Sequence, residues 1–471
     1  MARIAKNKSR ETRTLPRDYL PARATVMGAG RSGLAAARLL LDKGVDVFLS
    51  DTCTRERIEF ALATNNLAAL PHEANGHTRR VLDAEIIVLS PGISLQTPIL
   101  VEATRRGIPI WSEMELAFRQ SIAPYWAVTG STGKSTTVSL LGSVLQAAGI
   151  EHVVAGNIGL PLSTVAPKIG KDGVVVAEVS SFQLETIDLF QPRIGAILNL
   201  MKNHLDRYPD AESYYEAKKR IVGRMLMDDT LVLNGTDEEL LEWSSVPEAR
   251  TRVIYFGAEL AGKECVWLDG TRLRSRVDGA ERSILDVREM KLKGLHNHQN
   301  AAAVAAMALR GGVQPDAIAE GLVQFAGLHH RLEFVREIDG VTFYNDSKAT
   351  TAEAVQCAIT AFDNNVHLIA GGKDKGCDFS IVGDAVKQHV KTVHLIGEAS
   401  ERIARTWKGL SAIRMESDLE QAVVNARKAA VEGDVVVLSP GCSSFDMFAG
   451  FEKRGEMFRE IVHGIKKRVT K

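Results

Sequence analysis

A chain of 471 residues is longer than one hydrophobic core supports, so several domains are expected. Hydrophobic residues make up 45% and charged residues 25%, the balance of a globular protein rather than a disordered one. Lys and Arg total 58 against 58 Asp and Glu, so no global field draws nucleic acid or an anionic membrane.

Residues 1–20 are locally basic and lack an apolar stretch, which argues against a signal peptide and reads as a flexible, solvated arm. No run in the chain approaches the roughly 20 apolar residues that cross a bilayer, so no membrane span is expected. The strand-like "ATVM" then enters Gly28-x-Gly30-x-x-Gly33, and an apolar helical pattern follows. A second strand ends in Asp51, 18 residues past Gly33. Glycines at that turn let backbone approach a diphosphate at a helix start, and the acid suits a ribose hydroxyl. A third strand ends in Ser90-Pro91-Gly92 on the same sheet edge. This region alone is also compatible with a nicotinamide-dependent oxidoreductase, or with a bare scaffold whose glycines serve packing.

"YWAVTGSTGKSTTVSLL" resembles a phosphate loop whose first glycine is replaced by Val128. The working parts remain: Gly133 for close approach, Lys134 for the β- and γ-phosphates, and the Ser135 or Thr136 hydroxyl for Mg²⁺. The buried run "GVVVAE" ends in Glu178 before Ser180 and Ser181, a candidate metal carboxylate. A further strand leads into Asn203, His204, Asp206 and Arg207, where a metal or phosphate role is weighed against a core histidine. Between about 250 and 295, short alternating runs broken by Gly and Asp predict antiparallel hairpins. "VTFYND", "VHLIAGG", "TVHLIG" and "VVVLSPG" predict a last parallel sheet. The five cysteines are scattered without a CxxC pair, which fits a reducing cytoplasm and neither a disulfide framework nor a zinc site.

The expected fold class is α/β in three domains: an N-terminal Rossmann-like domain (21–112), a central P-loop ATPase-like domain with a small antiparallel addition (113–327), and a C-terminal Rossmann-like domain (328–471).

"GAGRSG", "SPGIS", "TGSTGKST", "AGNIGLP", "EVSSFQLE", "NHLDRY", "EAKKRI", "GLHNHQN", "GLHHRLE", "YNDSKATT", "GGKDKG" and "SPGCSSFDMFAGFEKRGEMF" occur in this order. Together they resemble the Mur ligase family over essentially the whole chain after the arm, and its glutamate-adding branch most. The resemblance implies ATP-dependent amide-bond formation: the carboxylate of UDP-N-acetylmuramoyl-L-alanine is phosphorylated by ATP, and the amine of D-glutamate displaces phosphate through a tetrahedral intermediate. It implies that the first glycine loop holds the uridine nucleotide, with contacts at Arg31, Ser32, Asp51, Thr52, Ser90, Pro91, Gly92, Ile93 and Asn157. ATP is expected at Gly130, Ser131, Thr132, Gly133, Lys134, Ser135 and Thr136, joined by Asn300, Arg331 and Asp346. Glutamate is expected at Thr350, Lys375, Ser444 and Phe451. Lys134, Lys218, His204 and Lys348 are the catalytic set, and Ser135, Glu178, His204 and a carbamylated Lys218 are the ligands of two Mg²⁺ ions. The chain departs from the family pattern at Thr132, where asparagine is usual, and at Asn203, where aspartate is usual. A monomeric cytoplasmic enzyme is expected, with another Mur-type ligase, including one adding L-glutamate, as the alternative.

Overall fold

The structure is a computed structural model that describes residues 15–202, 207–248, 250–292, 294–362, 365–374 and 376–466. The chain divides into two compact units. The first runs through Glu289 and resumes over Gln299–Gln324; the second comprises Met290–His298 and the chain from Phe325 onward.

Among the described residues, the first unit holds a five-stranded and a nine-stranded sheet. The smaller one is parallel, in the spatial order His72–Glu73, Asp46–Ser50, Arg23–Met27, Ile86–Leu89, Ile110–Ser112. Runs such as Ile86–Leu89 are buried at every position, as parallel strands covered on both faces require. The helix Arg31–Asp42 buries Leu34, Ala36, Ala37, Leu39 and Leu40 on the side that faces this core. In the larger sheet, Tyr125–Thr129 lies between Val174–Glu178 and Ile194–Ile197, all parallel. Its far edge turns antiparallel through Cys265–Asp269, Arg272–Val277 and Ala280–Asp286, where the sequence predicted hairpins. The last turn is Asp278-Gly279, with φ of 50° and 72°. Two successive positive φ values match the right-handed twist of the flanking strands, which is why Asp-Gly is found there.

A buried charge cluster fastens the two sheets of this unit. Glu115 accepts backbone N–H groups from Asp188, Leu189 and Phe190, and Nε of Arg119 lies 2.8 Å from its Oε1. Arg119 also bonds Asp188 and the carbonyls of Leu15 and Pro16, and it stacks 4.0 Å above Trp111. Residues 15–20, the described part of the basic arm, are held by these bonds and by Tyr19, whose hydroxyl donates to Glu85. No described helix is long and apolar enough to cross a membrane.

The second unit carries a six-stranded sheet ordered Glu333–Ile338, Val341–Asn345, Val435–Leu438, Val366–Gly371, Val390–Ile396, Ala412–Met415. Only the first pair is antiparallel, joined by Asp339-Gly340 at φ 50° and 73°.

Gly33 is required by a close approach: a Cβ there would lie 1.8 Å from the carbonyl oxygen of Gly28. Gly33→Ala therefore has to displace backbone, and is expected to destabilise this sheet by about 1–3 kcal/mol. Thermal melting of the variant against the wild type checks this; an unchanged midpoint would show that the loop relaxes freely.

Candidate active site

Parallel strands deliver their carboxyl ends to one edge, and each sheet uses that edge. In the small sheet Met27 pairs with Ser50 and with Leu89, so Gly28, Asp51 and Ser90 emerge at one level. Asp51 accepts the Ala29 N–H at 2.5 Å and the Cys53 N–H at 2.7 Å. Burial works to raise its pKa, but these donors outweigh it and hold the carboxyl below the usual range. Asp51 is thus an anion fixed across the glycine turn. Ser90 sits where a side chain on Gly28 would be, its Oγ 2.5 Å from that notional Cβ. Ser32 lies in the first turn of the helix, while Thr52 and Gly92 are exposed and Pro91 and Ile93 half-buried, on the rim of the same turn. Arg31 reaches out of this sheet to the carbonyl of Gly159, in the turn that also carries Asn157.

In the large sheet Val128 pairs with Glu178 and Thr129 with Ile197, so the loop from Gly130 opens beside Glu178. Gly130 and Gly133 have φ of 151° and 81°, and Gly133 caps the helix Lys134–Ala147. A helix start after a strand and a glycine turn is the place where backbone N–H groups and the helix dipole favour a phosphate. The loop is braced by the protein's own hydrogen bonds. Asn199 Oδ1 accepts the Thr132 N–H at 2.9 Å, and Ser131 Oγ exchanges hydrogen bonds with the backbone of Met201. Lys134 Nζ folds back on the carbonyls of Gly130 at 2.8 Å and Ser131 at 3.1 Å. Ser135 is buried at the helix start, with Thr136 half-buried beside it. Asn300 lies against the loop, its Oδ1 2.7 Å from a notional Cβ on Gly133.

Glu178 is 2% exposed. Its Oε1 accepts from Asn157 Nδ2 at 2.7 Å, whereas Oε2 is buried without a hydrogen-bond partner among the described residues. An orphaned carboxylate oxygen is costly to bury, and a cation is the natural complement. Lys218 is 1% exposed; its Nζ donates to the Gly130 carbonyl at 2.8 Å and lies 4.5 Å from the centre of the Tyr214 ring. Burial, together with the charge of Lys134, pushes its amine down to about 6. The neighbouring Lys219 points elsewhere, to Glu239 at 2.6 Å, and its pKa is raised. His204 lies outside the described residues, as do Asn203, Asp206 and Lys375.

The second unit repeats the edge arrangement. Asn345 and Ile369 both pair with Leu438, which brings Asp346 and Ser439 together. Asp346 accepts from Ser439 Oγ at 2.9 Å and from the Leu332 N–H at 3.2 Å, and burial raises its carboxyl to about 7. Arg331 follows in the short bridged turn with Leu328. Lys348 bonds the His330 carbonyl through its backbone N–H, and its Nζ lies 5.5 Å from the Phe451 ring centre. Thr350 is half-buried and Ser444 is buried, its carbonyl accepting N–H groups from Met447 and Phe448. Sequence reasoning missed Arg454. It is fully buried, bonds Ser347 and the Cys442 carbonyl, and so ties the Ser347–Lys348 segment to the one bearing Ser444. Its one-residue offset from "EK" on a polar helix gave no sign of this.

Family models agree with this architecture: "Mur ligase MurD-like, N-terminal domain" matches residues 22–112, "Mur ligase middle domain" 128–308, and "Mur ligase, glutamate ligase domain" 330–442. The fold is that of a three-domain α/β ligase. The chain belongs to the Mur ligase family. Proteins named UDP-N-acetylmuramoylalanine–D-glutamate ligase are similar to it: that of Acidobacterium capsulatum is 41% identical over 442 residues (93% of this chain, 95% of that one). That of Salinibacter ruber is 40% identical over 462 residues, covering 95% and 99%. Among solved structures, the MurF ligase from Thermotoga maritima in complex with ADP aligns at TM-score 0.59 and 16% identity, covering 94% and 98%. MurC from the same organism aligns at 0.57 and 19%, covering 95% and 100%. At such identities these two speak for the fold alone.

The amine of Lys218 gives a pH signature. Its folded pKa lies below the unfolded one, so between about 6 and the usual lysine value the unfolded chain binds the extra proton. Stability therefore rises with pH through that window. Urea midpoints at pH 6.5 and 9 (roughly the window's two sides) are expected to rise with pH, and Lys218→Met to flatten the rise; equal slopes would show that Lys218 is charged in the fold.

Proposed function

We propose that this chain joins the terminal carboxylate of UDP-N-acetylmuramoyl-L-alanine to the amine of D-glutamate, converting ATP to ADP and phosphate, as a step in peptidoglycan precursor synthesis. Relatives of 38–41% identity that carry this activity in their names support the reading. The observation that carries it in the structure is the unpartnered Glu178 oxygen beside a phosphate loop flanked by Lys134 and a neutral lysine. An oxidoreductase has no use for that group of residues.

ATP supplies the phosphoryl group that turns oxide, a poor leaving group, into phosphate, a good one, and Mg²⁺ neutralises charge on the phosphates. The residues present fit both. The loop from Gly130 to Thr136 and Lys134 hold the phosphates, with Asn300 against them. Ser135 and Glu178 offer oxygens suited to a hard cation, which takes one or two protein carboxylates plus phosphate oxygens. Lys218, neutral and shielded, can add CO₂ at Nζ with release of one N–H proton to solvent, and the carbamate would be an additional anionic ligand; His204 belongs to the same set. Asp51 and the turns at 28–33 and 90–93, with Asn157, anchor the nucleotide sugar. By the family resemblance Arg331, Asp346 and Lys348 are assigned to ATP, and Thr350, Lys375, Ser444 and Phe451 to glutamate. In this reading the division is 21–112, 113–327 and 328–471, and the enzyme is a cytoplasmic monomer. The protein's work is positioning and charge neutralisation, which dominates phosphoryl transfer.

Phosphate release with ATP and UDP-N-acetylmuramoyl-L-alanine is expected to require D-glutamate and to proceed poorly with L-glutamate. Lys134→Ala and Lys218→Ala are each expected to lower it by at least about a hundredfold. Release independent of glutamate would overturn the ligase reading, and a preference for L-glutamate would move the chain to a sibling activity. Glu178→Gln keeps the shape but removes the charge, so the Mg²⁺ concentration for half-maximal rate is expected to rise; an unmoved Mg²⁺ curve would take Glu178 out of the metal site.

A further inference from the structure

Arg207 follows the "NHLD" stretch, and the reading above leaves it without a task. Its guanidinium stands where the small and large sheets of the first unit face each other. Nη1 donates to the Pro91 carbonyl at 3.1 Å; Nη2 donates to the Ile93 carbonyl at 3.3 Å and to Glu185 Oε2 at 2.9 Å. The guanidinium carbon lies 4.1 Å from the centre of the Phe182 ring. Tyr208 stacks on Phe182 at 5.9 Å and donates its hydroxyl to the other oxygen of Glu185. The Arg207 and Glu185 side chains are only 17% and 16% exposed, so this bridge is shielded from solvent screening.

The turn that Arg207 grips is the one assigned to the nucleotide sugar. On its other side that turn is tied to the glycine loop, through the Ser90 N–H to the Met27 carbonyl and Ser90 Oγ to the Gly28 carbonyl. Residues 90–93 are thus suspended between the glycine loop of one sheet and an arginine rooted in the other. A flat five-donor fork serves three acceptors in fixed directions, a geometry that the compact three-donor ammonium of lysine does not reproduce. Both carbonyls belong to consecutive parts of one tight turn, so Arg207 sets where the turn sits as well as that it is held.

We propose that Arg207 is a positioning residue that fixes the 90–93 turn relative to the strand end bearing Glu178, and so sets the reach of the nucleotide-anchored substrate toward the phosphate loop. The inference rests on the function proposed above. Rotational play at the anchored end is magnified at the carboxylate at the far end, so loss of the brace falls on the UDP-linked substrate and spares ATP, whose loop is braced separately by Asn199 and Met201.

The test uses the full chain with Arg207→Ala, Arg207→Lys and Glu185→Gln. Titration calorimetry gives the Kd of UDP-N-acetylmuramoyl-L-alanine and of a non-hydrolysable ATP analogue with Mg²⁺, and steady-state assays give KM for each substrate. Arg207→Ala is expected to raise Kd and KM for the UDP substrate about tenfold or more, with the ATP values within about twofold. Arg207→Lys recovers part of the loss, and Glu185→Gln gives a smaller shift of the same constant. An unchanged UDP-substrate Kd, or equal losses for both ligands, overturns the proposal. Should Arg207→Ala fail to fold, the Lys and Gln variants decide by the same ratio. A wild type that binds the UDP substrate but releases no phosphate with glutamate refutes the ligase reading instead, and the calorimetric ratio still judges Arg207.

Discussion

The carbonyl oxygen of Gly130 receives hydrogen bonds from two lysines, Lys134 and Lys218, each at 2.8 Å. Burial disfavours a charged amine at Lys218, and the charge of Lys134 on the same oxygen adds repulsion, so both push its pKa down to about 6. Two lysines on one carbonyl thereby become chemically different groups made from the same residue type. Gly130 itself has φ of 151°, which L side chains rarely adopt, and a Cβ there would sit 3.0 Å from that of Leu198.

Around that carbonyl the chain brings charge to strand ends. Parallel register places Glu178 one strand away from the phosphate loop, and Asn157, from the next strand, occupies one of its oxygens while leaving the other open. The second unit uses the same geometry for a different balance, with Asp346 held by a hydroxyl and a backbone N–H in a setting dry enough to raise its pKa. In the small sheet the balance tips the other way. There Asp51 has two backbone donors and stays ionised. Asp51 and Asp346, at two strand ends, differ in charge tendency because their donors and burial differ.

Much of the fold was legible in the sequence because its signals are local. Buried parallel strands show as unbroken apolar runs, the alternating runs broken by Gly and Asp between about 250 and 295 mark hairpins, and glycines before a one-sided helix mark loops of close approach. Lys134 was legible for the same reason, since its place at a helix start follows from the strand and helix that flank it. Lys218 was not. Beside Lys219 on a polar helix it looks like a surface residue, yet one position of helical rotation sends it to Gly130 and its neighbour to Glu239 and the Trp243 ring. Only family resemblance distinguished them. Asn199 and Arg454 carried no signal, and Arg207 was marked only as a neighbour of His204, because the partners Thr132, Ser347 and Pro91 lie 67, 107 and 116 positions away.

By itself the sequence determined which groups are available and on which elements they stand: the glycine loops, the carboxylate closing a buried strand, and the order of motifs that marks the family. The tertiary structure decided which lysine is driven toward the neutral form, which Glu178 oxygen has no partner among the described residues and which arginine ties the 90–93 turn to Glu185. Those properties come from desolvation and from hydrogen-bond partners supplied by distant stretches of chain, and neither is encoded in the spacing of neighbouring residues.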